Sequence, residues 1–509
     1  MRYYITILLF ISFLSHRLSS QNFEKPNIIV IDVDELRWDA LGITGHPFVK
    51  TPNIDRIAKE GMLMKNSFVV SPICGPSRGS ILTGQYAHTN GSYKNTLPYG
   101  FNQTLTTYPM LLQAAGYKTS FIGKWETGKY ADTTPHPGFD RWFCTGPNRA
   151  YKMDPTVNVD GVLTKFKGHA TDISCHEAVR FIKENSDDPF SIVLMPRSVH
   201  TSYGTENLLA AERNRDLYKD VPIIRAKSAG SPIVGRPAAK NVKMTSPTNQ
   251  DILNASPISV DFDDNPIVGK PALKDVKMTP PTDDDIRNIS RMLVDIDDGV
   301  GLILETLEEE GILDKTMIIF TGDNGFFFGE HGLTEKRAPY EESIRVPFFV
   351  RYPPLVKAGS TSEVSILNID VAPTILSLAG VPIPKNIQGR SFLPVFAGRN
   401  LDEPRPSLLF EFYPEWYGVT KRGNGEAGIP AWKAVRTDKW KYVNWTELPD
   451  ADELYNIVDD PLEMNNLIKN NKYTQIVKDM KDELEKQKKL YNDPGILFQV
   501  MSNYAKTQK

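Results

Sequence analysis

The sequence has few of the residues that build disulfide scaffolds and histidine-rich metal centres. Of its 509 residues, three are cysteine and eight are histidine. The cysteines, Cys74, Cys144 and Cys175, are odd in number, so they cannot all be paired with one another. If Cys74 has a chemical role, Cys144 and Cys175 remain as a possible disulfide, and their spacing leaves that question open.

The chain also lacks a strong net charge and long apolar runs. Its 59 basic and 62 acidic residues give a net charge of −3, which favours neither nucleic acid nor an anionic membrane as a partner. After the first residues, no stretch stays apolar for the ~20 residues of a membrane helix, so we expect no membrane span in the mature chain.

The first residues have the layout of a secretory signal. Residues 1–20 contain Arg2, an apolar run from Ile5 to Leu14 and a final pair of serines. That pattern is typical of a cleaved signal peptide, with an uncleaved anchor as the alternative. We therefore expect an exported protein, either periplasmic or secreted.

Short apolar runs alternate with helical patterns from Pro26 to about Gly380. This alternation predicts an α/β fold, in which helices cover both faces of a sheet. The clearest strand candidates span 28–31, 119–123, 191–195 and 317–320. Since ligands bind beyond the carboxyl ends of strands in such sheets, the polar residues that follow should share one crevice. These residues are Asp34, Glu35, Lys124, His200, Asp323 and Asn324.

Composition divides the mature chain into two parts. We expect a catalytic domain over 23–400 and a smaller C-terminal domain over 401–509, with short antiparallel strands and a charged helix near 473–490. Within the first part, 205–290 reads as a surface insertion. It contains an internal duplication, because "PIVGRPAAKNVKMTSPTNQDI" recurs as "PIVGKPALKDVKMTPPTDDDI".

The stretch "CGPSRGSILTG" starts at Cys74 and has the pattern of a helix start. Pro76 and Ser77 suit the first helical turn, and the free amides there favour negative charge. A lone cysteine is more often an inert buried thiol. Here the neighbouring Arg78 and the charged residues at the strand ends favour a functional role.

These residues carry a resemblance to type I sulfatases of the alkaline phosphatase superfamily, in which Cys-x-Pro-Ser-Arg marks a cysteine for oxidation. Further similar segments are "PNIIVIDVDELRWDALG", "GYKTSFIGKW" and "TGDNGFFFGEHGLTEKRAPYEESIRVPFFVRYP". The resemblance implies an alkaline phosphatase-like mixed sheet sandwiched by helices, with a smaller C-terminal α+β domain that carries an antiparallel sheet.

The resemblance also implies the cofactors. Cys74 would be converted to formylglycine (3-oxoalanine) by a formylglycine-generating enzyme, and the hydrated aldehyde would supply the nucleophilic oxygen. A calcium ion, with magnesium the less favoured choice, would be held by hard oxygen ligands. The implied metal-site residues are Asp34, Glu35, Cys74, Asp323 and Asn324. Glu35 stands where family members usually have a second aspartate, and we assign Asp32 a structural role.

Four further residues match catalytic positions of the family. Lys124 and Lys336 would bind sulfate oxygens, and Arg78 would hold the formylglycine and its sulfate. His200 would protonate the leaving oxygen, which suits a pKa near neutrality. Family members often read "GKWH" where this chain reads "GKWE", so Glu126 replaces a histidine and is a candidate base. His331 is a candidate for substrate contact.

The implied function is an exported sulfatase that acts on sulfated oligo- or polysaccharide. Arg149, Tyr151 and Lys152 are candidates for a sugar subsite. Two alternatives stay open: a phosphodiesterase or phosphonate hydrolase of the same superfamily, and a non-catalytic carbohydrate-binding pseudosulfatase.

Overall fold

A computed structural model describes most of the chain. The described residues are 25–93, 95, 105–126, 134–145, 153–200, 210–229, 281–413, 429–446, 448 and 450–495. The expected signal segment, the duplicated repeats before residue 281 and the three sugar-subsite candidates lie outside these residues. Within them, no helix combines the length and the apolar character needed to cross a membrane.

The core of the fold is a large mixed sheet. Its strands are β1 (Asn27–Val33), β2 (Met62–Met64), β4 (Lys118–Gly123), β5 (Arg141–Thr145), β6 (Thr156–Val159), β7 (Val162–Lys165), β8 (Phe190–Met195), β9 (Thr316–Gly322), β12 (Phe348–Arg351) and β13 (Ser360–Ser362). Their order across the sheet is β13-β2-β12-β9-β1-β8-β4-β5-β6-β7. Two short pairs lie beside it, β3 (Ser67–Phe68) with β14 (Ile366–Leu367) and β10 (Phe327–Phe328) with β11 (Thr334–Glu335).

The five central strands, β9, β1, β8, β4 and β5, run parallel, so their carboxyl ends share one edge. Asp32 of β1 pairs in register with Thr321 of β9, and Ile31 pairs with Leu194 of β8. The four strands expected from the apolar runs are all confirmed. Continuous burial of β1, β8 and β9 explains why their sequences are apolar runs instead of alternating patterns.

Helices cover both faces of this sheet. They are α1 (Pro52–Lys59), α2 (Cys74–Thr83), α3 (Ala87–Asn90), α4 (Tyr108–Ala114), α5 (Ala170–Glu184), α6 (Asp283–Glu309), α7 (Glu341–Ile344), α8 (Val371–Leu378) and α9 (Leu393–Phe396). On one face, α1, α5 and α6 pack against the odd-numbered residues of β1, such as Ile29 and Ile31. On the other face, α2, α4 and α8 pack against Ile28 and Val30.

A second sheet forms near the C-terminus. The antiparallel strands β15 (Leu408–Phe412), β16 (Trp432–Arg436), β17 (Trp440–Trp445) and β18 (Glu453–Asn456) carry helix α10 (Thr474–Leu490) on one face. The hydrophobic core of this second sheet also includes Phe68 and Ile73, which precede Cys74 in the sequence. The predicted fold class is therefore confirmed, while the domain boundary at about residue 400 stays a prediction.

The three cysteines are free thiols. Cys175 is buried in α5 and Cys144 is half-buried at the end of β5. The disulfide that the sequence left open between these two residues does not form.

Helix α6 fixes the start of α1 through one buried carboxylate. Asp297 Oδ1 accepts from the amide of Ile54 at 2.8 Å, and its Oδ2 accepts from Asn53 Nδ2 at 3.0 Å. Burial raises the pKa of Asp297 from 3.8 to about 6. When folding raises the pKa of a carboxyl group, the group stabilises the fold at pH values below its pKa in the unfolded chain. That contribution is lost as the pH rises through its pKa in the folded chain.

We therefore expect the Asp297→Asn variant to gain stability relative to the parent chain as the pH rises. Between pH 4 and pH 7.5 the difference in the free energy of unfolding should shift by about 2 kcal/mol in favour of the variant. Urea unfolding at both pH values measures it. Asp284→Asn, at an exposed position near the start of α6, is the control and should show no such shift. An equal response of both variants would contradict the prediction.

Candidate active site

The site lies at the carboxyl edge of the central parallel strands. Asp34 follows β1, Lys124 follows β4 and Asp323 follows β9, and all three side chains are buried. Lys124 Nζ lies 2.6 Å from Asp34 Oδ2, which joins the ends of β1 and β4. Burial lowers the pKa of Lys124, an effect that Asp34 partly offsets. The crevice expected from the sequence thus contains the residues that follow these three strands.

Cys74 is the first residue of α2 and its side chain has no exposed surface. Its Sγ lies 3.3 Å from Asp34 Oδ1 and donates a hydrogen bond to it. Burial and the charge of Asp34 raise the pKa of Cys74 to about 12. The helix start therefore does not yield a thiolate at neutral pH, and a plain cysteine here would be a poor nucleophile.

Arg78, one turn further along α2, is fully buried and connects three strand ends. Its Nε donates to Asp323 Oδ2 at 3.0 Å, and its Nη1 donates to the backbone carbonyl of Lys124 at 2.5 Å. Its Nη2 lies 3.7 Å from Asp34 Oδ1. These carboxylates keep the pKa of Arg78 above its ordinary value despite burial, so the guanidinium stays charged.

Glu35 organises the other side of the site. Its amide donates to Asp323 Oδ1 at 2.9 Å, and its carboxylate forms a short ion pair with Lys336 Nζ. His200 Nε2 lies 3.3 Å from the same Glu35 oxygen. Glu35, which stands where family members usually have an aspartate, thus places its carboxylate beside Lys336 and His200.

The ionisation of His200 differs from the expected near-neutral pKa. Burial and the neighbouring Lys124 lower the pKa of His200 well below its ordinary value. The ring is therefore neutral at pH 7. A bound anion beside the ring would raise its pKa again, because negative charge favours the imidazolium.

The site groups several atoms that could bind a metal ion. Potential ligand atoms of Asp34, Glu35, Cys74 and His200 lie within 4.8 Å of one another. Asn324 Oδ1 is buried and has no hydrogen-bond partner in the described part of the chain, as expected for an oxygen reserved for a cation. Asp323 differs, because both of its oxygens already accept hydrogen bonds, from Glu35 and Arg78.

Two further acidic residues are buried at the site. Asp32, assigned a structural role from the sequence, is fully buried, and burial together with Asp323 raises its pKa well above the ordinary value. Glu126, the residue that departs from the family pattern, is buried and forms a short ion pair with Lys124.

Unusual backbone conformations lie at or beside these residues. Non-glycine residues seldom adopt positive φ, and such strain concentrates at functional sites. The positive φ angles near the site are those of Glu35 (56°), Glu126 (48°), Val199 (89°), Glu335 (66°) and Arg337 (86°). Val199 precedes His200, and the last two flank Lys336, so the surrounding packing holds these catalytic candidates in uncommon backbone geometry.

The sequence reasoning missed three supporting residues. Asn95 Oδ1 accepts from the amide of Gly75 at 2.8 Å, and Asn368 Nδ2 donates to Ser77 Oγ at 2.8 Å, so both fix the first turn of α2. Trp432 Nε1 donates to the carbonyl of Arg337 at 2.7 Å and anchors the loop of Lys336. No local motif marks these residues, since their roles depend on contacts between distant segments.

His331, expected as a substrate contact, is buried in the structure. Its ring stacks on Tyr340 with a centroid distance of 4.3 Å, and its Nε2 lies 3.1 Å from Glu342 Oε2. These contacts give it a packing role in the loop before Lys336.

Comparison with known proteins defines the class. Residues 26–381 match the family model described as Sulfatase, and 329–490 match the one described as N-sulphoglucosamine sulphohydrolase, C-terminal. The N-acetylglucosamine-6-O-sulfatase of Bacteroides thetaiotaomicron is 32% identical, with coverage of 92% of this chain and 87% of that protein.

Solved structures agree with this match. A structure described as a complex with its substrate D-glucosamine-2-N,6-O-disulfate has a TM-score of 0.75 and 28% identity, over 92% of this chain and 99% of the other. The phosphonate monoester hydrolase of Agrobacterium radiobacter has a TM-score of 0.68 and 20% identity, over 92% and 96%. The latter likeness concerns the fold alone.

The chain belongs to the sulfatase family of the alkaline phosphatase superfamily. It is a sulfuric ester hydrolase.

The guanidinium of Arg78 is buried and donates to two partners, so we expect that lysine cannot replace it. A single ammonium would not satisfy both Asp323 and the Lys124 carbonyl, so Arg78→Lys should lower the free energy of unfolding by about 3 kcal/mol. Arg56→Lys is the control. Arg56 is 32% exposed and pairs with Glu60 and Glu308 at the surface, where the loss should stay below about 1 kcal/mol. Chemical unfolding measures both, and similar losses would contradict the prediction.

Proposed function

We propose that the chain hydrolyses 6-O-sulfate esters of glucosamine residues in sulfated glycans, with a formylglycine made from Cys74 and a bound calcium ion. The observation that carries the proposal is the convergence of Lys124, Arg78 and the acidic strand ends on Cys74, the first residue of a buried helix. The names of the relatives support the choice of glucosamine 6-sulfate within the wider class of sulfated oligo- and polysaccharides.

The state of the Cys74 thiol supports its conversion. Because its pKa is raised to about 12, the unmodified side chain is protonated at neutral pH and poorly suited to attack sulfur. A formylglycine supplies, as its hydrate, an oxygen nucleophile that does not depend on a thiolate. The carboxylate of Asp34 would hold this side chain, and Asn95 fixes the adjoining backbone by accepting from the amide of Gly75.

The charge balance supports a divalent cation. The site contains the carboxylates of Asp32, Asp34, Glu35, Glu126 and Asp323. In the described part of the chain, the cationic side chains opposite them are those of Arg78, Lys124 and Lys336. With Asp32 protonated, four carboxylates face these three cations, and a calcium ion would compensate the remaining negative charge and stabilise the charge on the sulfate group. Asp34, Glu35 and Asn324 are the residues best suited to hold the ion, with Asp323 beside them.

The remaining residues have roles that match their surroundings. Lys124 and Lys336 are the ammonium groups available to nonbridging sulfate oxygens. Arg78 keeps α2 and the strand ends in register. His200, at the rim and 23% exposed in its side chain, is the proton donor to the leaving sugar oxygen, once the bound sulfate raises its pKa.

Maturation and location complete the proposal. A formylglycine-generating enzyme acts on the segment from Cys74 to Arg78, and the protein is exported to the periplasm or secreted, where sulfated glycans are found. The phosphonate hydrolase alternative shares only the fold, and the pseudosulfatase alternative requires an unmodified Cys74.

Conversion of Cys74 gives a direct test. After coexpression with a formylglycine-generating enzyme, mass spectrometry should find the Cys74 peptide changed by loss of hydrogen sulfide and gain of one oxygen. Sulfate release from N-acetylglucosamine 6-sulfate should fall at least about 10³-fold in Cys74→Ala, whereas Cys175→Ala should retain activity. Ion chromatography measures the sulfate. Undiminished release by Cys74→Ala would contradict the proposal.

Removal of calcium gives a second test. Chelation should abolish sulfate release and lower the melting temperature, because an ion that binds only the folded state stabilises it. Added calcium should restore both. Asn324→Ala should weaken calcium binding at least about tenfold in calorimetry, while Asn471→Ala, at an exposed position, should leave it unchanged. Equal calcium affinity of the two variants would exclude Asn324 as a ligand.

A further inference from the structure

Glu126 is an acidic residue next to a lysine that should bind an anion. Its carboxylate forms an ion pair with Lys124 Nζ, and only 4% of its side chain is exposed. Asp34 contacts the same ammonium at 2.6 Å, so Lys124 is shared by two carboxylates. The described contacts of the other sulfate-binding candidate, Lys336, include a single carboxylate at the site, that of Glu35.

The backbone fixes Glu126 in this position. Its φ of 48° is uncommon for a residue with a side chain. Its carbonyl oxygen lies so close to α2 that a Cβ at Gly75 would be 2.6 Å away. The backbone of Glu126 is therefore held against the residue that follows Cys74, while its carboxylate contacts Lys124.

A fixed negative charge at this place acts differently on different esters. A sulfate monoester carries one negative charge, whereas a phosphate monoester of the same alcohol carries nearly two above pH 7, since its second pKa is ≈ 6. Repulsion by the Glu126 carboxylate therefore costs the phosphate ester more. The same carboxylate holds Lys124 in place, so the sulfate ester gains an oriented ammonium at a smaller electrostatic cost.

We propose that Glu126 is a specificity-determining residue, whose carboxylate orients Lys124 and selects monoanionic sulfate esters against dianionic phosphate esters of the same sugar. This inference rests on the proposed function, because it assumes that Lys124 binds the ester's oxygens.

Binding in the Cys74→Ala background separates the two proposals, because it needs no turnover. Calorimetry would measure the dissociation constants of N-acetylglucosamine 6-sulfate and N-acetylglucosamine 6-phosphate, with calcium, at pH 8 and pH 5. Glu126→Gln should shift the preference towards the phosphate ester by about tenfold at pH 8 and by less than about threefold at pH 5, where the phosphate ester is monoanionic.

Two further variants distinguish charge from structure. Glu126→Asp keeps the charge and should retain the preference for sulfate. Glu177→Gln removes a buried carboxylate that pairs with Arg141, at the opposite end of β5 from the site, and should leave the preference unchanged.

The outcomes are distinct for the two proposals. An unchanged preference in Glu126→Gln at pH 8, or an equal loss of affinity for both esters, overturns the role of Glu126. The expected shift in preference supports that role even if the protein with Cys74 intact releases no sulfate. That lack of release would contradict the proposed function alone.

Discussion

The arrangement of the site depends on one buried guanidinium. Arg78 has no exposed surface, yet it stays charged because Asp323 and Asp34 lie beside it. Through the Lys124 carbonyl it also holds the end of β4. A buried cation without such partners would be strongly destabilising. Helix α2 can therefore occupy its position only when the three strand ends lie beside it. The first turn of α2, with Cys74, is placed by the same contacts.

The charges around Cys74 form two linked groups. On one side Lys124 lies between Asp34 and Glu126, and on the other Glu35 lies between Lys336 and His200. Each ammonium that is suited to bind sulfate is thus oriented by a carboxylate before any anion arrives. Such preorganised charges stabilise a reacting anion without the cost of moving them.

The strand ends could be predicted because each buried parallel strand is a run of apolar residues in the sequence, followed directly by polar residues. Asp34, Lys124 and Asp323 could therefore be assigned to one crevice. Asn95, Asn368 and Trp432 could not, because their partners lie in distant parts of the chain and their own neighbourhoods have no distinctive pattern. The lowered pKa of His200 was also unpredictable, since it results from burial and the position of Lys124. The fate of Cys144 and Cys175 likewise required the fold.

The complete burial of Cys74 has a consequence for biosynthesis. In the folded chain its side chain offers no surface, so the formylglycine-generating enzyme of the proposed function would have to act before the fold closes. The fold around the site joins distant parts of the chain, because Trp432 of the C-terminal sheet anchors the loop of Lys336. Under the proposed function, the period in which the cysteine can be modified would therefore end when these distant segments pack together.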